Sequence, residues 1–251
     1  MAGLTGAERT EWGLLTLLAA VAAAALPLST GYMGWSWDAL NHHIYLGLLA
    51  EQPRWHLDVL AASFQGYQFP YLYWPVYRLS LLDLPGAWAG ALWSAFQAVW
   101  LMPPVWLIAH RLLPSEVSGL QASMLRVGGC LLASASTVIV ASIETTANDL
   151  LASVPLLWAI AAGLSPRSGP RQAWACGALW GVSVAFKLSN GLAILWLALW
   201  AWHTQPPHLR WGRVCATRGR STLRARVSQA TSPIAPSLCA ARCASHGRRC
   251  P

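Results

Sequence analysis

The chain has 251 residues, of which 55% are hydrophobic and only 10% charged, with sixteen Trp and a formal charge of +8. A soluble domain carries about a quarter charged residues, so this composition excludes an ordinary soluble fold and points to a membrane protein. The positive charge excludes less: nine Arg and no acid lie from Arg210 onward, while residues 1–209 hold seven Arg, one Lys and all nine acids, so a nucleic-acid partner would rest on the tail alone.

A membrane-crossing helix needs about 20 predominantly apolar residues. Residues 12–28 form the first predicted span. The preceding GAERTE sets one Arg against two Glu, and no A-x-A site closes the span, which argues against a cleaved signal peptide. A long loop over 29–83 follows. Further spans are predicted over 85–110, 124–143, 147–164, 172–186 and 191–203. Arg9, Arg111, Arg126, Arg167, Arg171 and Arg210 fall at every second connection, which assigns those connections to the cytoplasm. The expectation is an all-α polytopic bundle of six spans in the cytoplasmic membrane, both termini inside. The 29–83 loop, the ETTAND turn and the KLSNG turn then share the outer face. So do the polar groups Asp38, Asn41, His42, Glu144, Asn148, Asp149, Lys187 and Asn190.

Within the first loop, Trp35 to Ala50 reads as an amphipathic helix. At 100° per residue Trp37, Leu40, Ile44 and Leu48 form one stripe, and Asp38, Asn41, His42 and Tyr45 the other. Such a helix lies on a membrane surface with its acid and His side exposed. Its polar face is either merely solvated or chemical; Asp38 with His42 one turn on favours the second. The next stretch, FQGYQFPYLYWPVYRLS, has little helix propensity. It is either an aromatic interfacial loop or a place where Gln65, Tyr67 and Tyr71 meet a sugar or a lipid head group.

The ordered set of these segments carries a resemblance. WDALNHHIYLGLLAEQPRWHLDVLAASFQGYQFPYLYWPVYRL resembles the first outer loop of bacterial GT-C class glycosyltransferases, in Asp38, Asn41, His42, His43, Arg54, Asp58, Gln65, Tyr67 and Pro70. IETTANDLLASVPLLWA resembles the acidic turn before a spanning helix of that class. GALWGVSVAFKLSNGLAILWLAL resembles its Gly-to-Lys helix with a following Asn. The likeness covers residues 10–205. It implies a membrane enzyme that takes a sugar from a polyprenyl-phosphate carrier. Asp38 is then the general base for the acceptor hydroxyl and Asp58 a second catalytic or orienting carboxylate. Arg54, Lys187 and His42 serve the departing phosphate, and Asn41, Gln65, Tyr67, Glu144 and Asp149 line the substrate. The class implies no fixed cofactor beyond a possible divalent metal, which no cluster in this sequence supports. The bland readings stand beside these: Arg54 as an interfacial anchor, Lys187 snorkelling from a helix end, and Asp149 in a first helical turn where the dipole favours an acid.

The tail 210–251, rich in Arg, Ser, Ala, Cys and Pro and without an acid, is expected to be disordered. It reads either as a basic segment drawn to anionic lipid or, better, as a GC-rich gene in a shifted frame, which makes the chain an N-terminal fragment of its class. Four of six Cys lie there, and Cys130 and Cys176 sit in apolar runs, so no disulfide framework or metal site is expected. Two other functions compete, a small polytopic transporter and a non-catalytic membrane subunit. Intramembrane charges would favour the transporter, and the predicted spans are nearly free of them. No P-loop, GxGxxG, nucleophile elbow or HExxH is present.

Overall fold

The computed structural model describes residues 4–34, 37–54, 56–58, 68–165, 170–193 and 195. Gln65, Tyr67, nearly all of the predicted sixth span and the 210–251 tail lie outside these. Among the described residues the fold is helical, with no strand and one isolated parallel bridge between Gly34 and Thr145.

Helix α1 (Gly6–Thr30) opens on a capping box. The Thr5 hydroxyl accepts from the Glu8 amide at 3.3 Å, and the Thr5 amide donates to the Glu8 carboxylate at 2.8 Å, which satisfies donors a helix start leaves free. It ends at Gly31, whose φ of 85° is the left-handed conformation that only glycine adopts without cost. Helix α4 (Gly86–Leu112) returns antiparallel to it. Residue 11 meets 106, 20 meets 98 and 101, and 27 meets 90. Helix α5 (Gly119–Ser134) runs back up beside both, α6 (Thr137–Ser142) is a short cap, α7 (Asp149–Gly163) descends and α8 (Pro170–Phe186) ascends. Between α1 and α4 lie a π-turn (Ala39–His43) continuous with α2 (Ile44–Glu51), a 3-10 turn (Pro70–Leu72) and α3 (Trp74–Ser80).

This alternation sorts the connections. The described residues of 31–58 and 68–85, with 135–148 and 187–192, gather at one end, the site end; residues 4–11, 108–119, 161–165 and 170–172 gather at the other. Among the described residues, α1 and α4 alone are long and apolar enough to cross a membrane by length and composition. The predicted third span divides at Ala135–Ser136, where the Ser136 hydroxyl accepts from the Ile139 amide and starts a new helix. The fourth is the 15 residues of α7, about 22 Å at 1.5 Å per residue. Helix α5 buries Ala122, Arg126 and Cys130 and exposes Leu120, Met124, Leu125, Leu131 and Leu132, so one narrow stripe packs and the remaining apolar surface does not.

Three expectations are corrected. The apolar helices are not free of charge. Glu11 of α1 and Arg126 of α5 pair in the interior, Nε to Oε1 at 2.7 Å and Nη2 to Oε2 at 2.6 Å, and Ser123 and Trp106 complete the carboxylate's hydrogen bonds. Arg126 lies near the start of the predicted 124–143 span, and Glu11 just before the predicted 12–28 span. Second, the FQGYQFPYLYWPVYRLS stretch does form helix over Trp74–Ser80. Pro75 sits in its first turn, where a missing amide costs nothing. Third, the first-loop helix does not expose its His side: His42 is 4% exposed, whereas Trp37 and Leu40 are each 75% exposed. Ala39, His42, His43, Leu46 and Leu49, at helical spacing, form the buried face instead.

Two glycines allow close crossings. A Cβ at Gly47 would stand 2.2 Å from Tyr77 Cβ and 2.8 Å from the Tyr73 carbonyl; one at Gly90 would stand 2.7 Å from Pro27 Cβ. Gly47→Ala is therefore expected to destabilise the α2–α3 contact by ~1–3 kcal/mol, read as a lower thermal midpoint in detergent micelles. Gly128→Ala, with open space around its Cβ, should leave the midpoint equal or higher. Glu11→Ala removes the bidentate partner of the buried Arg126, leaving it only the Glu8 carboxylate at 3.9 Å, and should cost up to ~3–5 kcal/mol in the same assay. Glu116→Ala, on the exposed turn before α5, is the control that should not move it.

Candidate functional site

The ETTAND turn is the centre of the site end. Four consecutive residues are each held by a different donor or ring. Gln97 of α4 donates to the Ile143 carbonyl at 2.7 Å, the Gly34 amide to the Glu144 carbonyl at 3.2 Å, and the Trp93 indole to the Thr145 carbonyl at 2.7 Å. The Thr146 hydroxyl lies 2.6 Å from His43 Nδ1. Gly34 leaves room for the Glu144 side chain, since a Cβ there would meet Glu144 Cγ at 3.2 Å. The turn then enters α7, and Asp149 in its first turn forms an ion pair with Lys187 at the end of α8. Lys187 is fixed from below. Ser183 and Asn190 both donate to the Ala152 carbonyl, at 2.6 and 3.1 Å, which clamps the end of α8 onto α7.

Against this frame sits the π-turn. Asp38 precedes it, with its side chain 51% exposed and Oδ1 3.9 Å from His42 Nδ1. The His42 ring meets His43 edge-on at 4.4 Å, and His43 stacks on Tyr73 at 4.8 Å with its plane tilted 21°. Tyr73 donates to the Gln68 amide oxygen at 2.9 Å. Burial pushes His43 down to about 4, with His42 and Lys187 acting the same way and Asp38 and Asp149 opposing. His42 is also lowered by burial, against the pull of Asp38. Tyr73 is raised, first by burial and then by Asp149 and Asp38. The two imidazoles are therefore neutral hydrogen-bonding groups at physiological pH, not cations.

The structure brings Asp38, His42, Glu144, Asp149 and Lys187 to one end of the fold, around His43 and Tyr73. Asn41 is exposed and donates to the Trp37 carbonyl at 2.6 Å, which caps its own helix. Arg54 and Asp58 bond each other, Nε to Oδ2 at 2.5 Å, and Tyr45 donates to the same oxygen at 3.3 Å. The guanidinium holds the Asp58 carboxyl below its ordinary value. So paired, Arg54 and Asp58 neutralise one another: neither is a free phosphate ligand or a free base. Glu51 is likewise taken, by Arg78 and by the Trp74 indole at 2.6 Å. Residue-type reasoning underrated His43, Thr146 and Tyr73, which are the packed centre of the site. The signal was in the doubled His of NHHIY: at 100° per residue Ala39, His42, His43, Leu46 and Leu49 share one arc, which the structure buries.

Glu144 Oε2 and Asn148 Nδ2 are buried with no hydrogen-bond partner among the described residues. No group of three His, Cys, Asp or Glu that could hold a metal ion occurs among those residues. No family model, no curated protein and no solved structure matches the chain.

Because the folded chain keeps His43 neutral down to about pH 4 while an unfolded imidazole takes its proton near 6.5, the unfolded chain binds more protons between these values. Stability is therefore full above pH 6.5 and falls as pH drops toward 4, by at most about 3 kcal/mol from this residue. Thermal unfolding in detergent at stepped pH should show the fall in the wild type and a shallower one in His43→Gln. Equal slopes would mean that His43 titrates normally in the folded chain.

Proposed function

We propose that the chain is a membrane glycosyltransferase of the GT-C type. It moves a sugar from a polyprenyl-phosphate donor to an acceptor hydroxyl at the outer face of the cytoplasmic membrane. The observation that carries this reading is the state of Asp38. Glu51, Asp58 and Asp149 each hold a cation, whereas among the described residues Asp38, half-exposed, has no cation and approaches a neutral His42 at 3.9 Å. Asp38 is thereby left open to an incoming hydroxyl, which is the access that a general base needs.

In the reaction the acceptor oxygen attacks the anomeric carbon of the sugar as Asp38 takes the hydroxyl proton. The bond from that carbon to the phosphate oxygen breaks, and its electron pair leaves with the polyprenyl phosphate. Lys187 is the described cation nearest in kind to what the leaving phosphate needs. Its ammonium carries three donors, so it can keep Asp149 and still meet a phosphate oxygen. His42 supplies a neutral hydrogen-bonding group beside the base. Arg54 and Asp58 act as a paired brace for the loop after α2 in this reading.

The topology that goes with it has six membrane segments, both termini in the cytoplasm and the site end outside. It is supported by the up-and-down order of α1, α4, α5, α7 and α8 and by the unpacked apolar surface of α5. Lys and Arg counts do not separate the two ends, with Arg54, Arg78 and Lys187 at the site end and Arg9, Arg111 and Arg171 at the other. The interior Glu11–Arg126 pair gives little to a transporter reading, because both oxygens of Glu11 are already occupied.

The purified chain in lipid nanodiscs, given a panel of polyprenyl-phosphate hexoses, should release polyprenyl phosphate. Asp38→Asn should lower that rate by about 10²–10⁴-fold with unchanged expression and thermal midpoint. Turnover undiminished in this variant would remove Asp38 from the role of base.

A further inference from the structure

The His43–Thr146 contact does something that the other three anchors of the turn do not. Gln97 and Trp93 tie the turn to α4, and Gly34 ties it to the segment leaving α1. His43 ties it to the π-turn itself, five residues after Asp38, while Thr146 lies three residues before Asp149 and its Lys187 partner. Both groups of the pair are buried, His43 at 4% and Thr146 at 1% exposure. Neither has a solvent alternative, and separating them strands a buried polar group on each side. The imidazole is gripped on its other faces by Tyr73, stacked at 4.8 Å, and by the edge of His42 at 4.4 Å. Its orientation is thus set by packing and its reach by one hydrogen bond.

We propose that His43, through its hydrogen bond to Thr146, is a positioning residue that fixes the carboxylate of Asp38 relative to the Asp149–Lys187 pair. His43 touches neither donor nor acceptor in this role. It acts by keeping two loops, far apart in sequence, at one separation while a sugar passes between the base on one and the ammonium on the other. The proposal rests on the glycosyltransferase reading for its catalytic consequence, but the strut itself is a property of the fold. A displacement of about 1 Å between reacting groups is enough to cost about 10²-fold in rate.

Thr146→Val keeps the shape and deletes the hydroxyl; Thr146→Ser restores it. Hydrogen exchange read by mass spectrometry on the full chain in nanodiscs tests the strut without any substrate. Thr146→Val should raise exchange together in residues 37–44 and 143–149, leave the α1 and α4 peptides unchanged, and return to the wild-type pattern in Thr146→Ser. Should Thr146→Val fail to fold, His43→Leu against His43→Asn serves in its place, since the amide of Asn can keep a hydrogen bond to Thr146. Unchanged exchange in the disrupting variant overturns the strut. The catalytic part is read on the same samples as release of polyprenyl phosphate. A fall in kcat of about 10²-fold in Thr146→Val with KM unchanged, recovered in Thr146→Ser, is the expected result. A rise in KM at unchanged kcat would make the contact a binding feature and overturn the positioning role. If the wild type releases nothing from any donor of the panel, the glycosyltransferase reading falls, while the exchange result still decides the strut.

Discussion

The site end depends on the immobilisation of one short turn. Residues 143–146 have no helix or strand of their own to satisfy their backbone, and they lie where water is scarce. Each exposed carbonyl therefore needs a donor from elsewhere, and the fold supplies three: Gln97, Gly34 and Trp93. Two come from side chains of α4 one turn apart and one from the backbone just past α1, so the turn is nailed to the two longest helices. Everything beyond it inherits that rigidity. Asp149 follows directly as the start of α7, Lys187 is clamped to α7 through Ser183 and Asn190, and the π-turn reaches the same place through His43. A loop that would otherwise be the loosest part of the molecule becomes the reference point for the others.

The opposite end is organised by a different constraint, an interior charge. Arg126 lies over the Trp106 ring at 5.5 Å, and Trp106 stacks against His110 at 5.2 Å with nearly parallel planes. Glu8 adds its carboxylate 3.9 Å from the same guanidinium. Three helices thus share one polar knot in which both oxygens of Glu11 are bonded. Its net worth over an apolar packing of the same shape is small, because desolvation offsets most of the attraction. What it contributes is register: α5 can slide along α1 only by breaking a bidentate pair. A cleft of about 1040 Å³ opens beside it, between the start of α1 and the α4–α5 turn.

The sequence was most legible where a single period governs. The two long apolar helices, the descending α7 and the ascending α8 all follow from hydropathy, and their ends were placed within a few residues. It was less legible where a local irregularity changes the period. Ser136 splits one apolar run into two helices because a hydroxyl cap competes with continuation, a choice that hydropathy does not register. The first-loop helix hides its packing differently: its buried arc of Ala39, His42, His43, Leu46 and Leu49 is masked in the sequence by two polar imidazoles. At the site, the sequence offered Asp38, Asp149 and Lys187 as candidates, and the fold brings them to one end. It could not foresee that Arg54 and Asp58 would consume each other, since i and i+4 partners look like two assets until they are seen to touch. Thr146 went unread because a buried hydroxyl has no distinctive spacing; its importance comes from the ring that it meets.

Depth decides whether such a site suits interfacial chemistry. Helix α4 has 27 residues and spans about 40 Å, against a hydrocarbon layer of about 30 Å. If its last residues, His110 and Arg111, mark the inner boundary, the outer boundary falls some 20 residues earlier, near Trp93. That is the residue whose indole holds the Thr145 carbonyl. The acidic turn, Asp149 and Lys187 then lie at the border between acyl chains and head groups, and the first turns of α4 rise about 10 Å above them. Trp37 and Leu40, exposed on the π-turn segment, face outward at this level, where amphipathic rings are at home. A phosphate anchored by a lipid tail rests at the same border. The charged groups need no helix to unwind and no ion to enter the hydrocarbon in order to reach it. On the proposed topology this places the base and the ammonium at the one depth where a lipid-linked phosphate and a water-borne hydroxyl can both arrive.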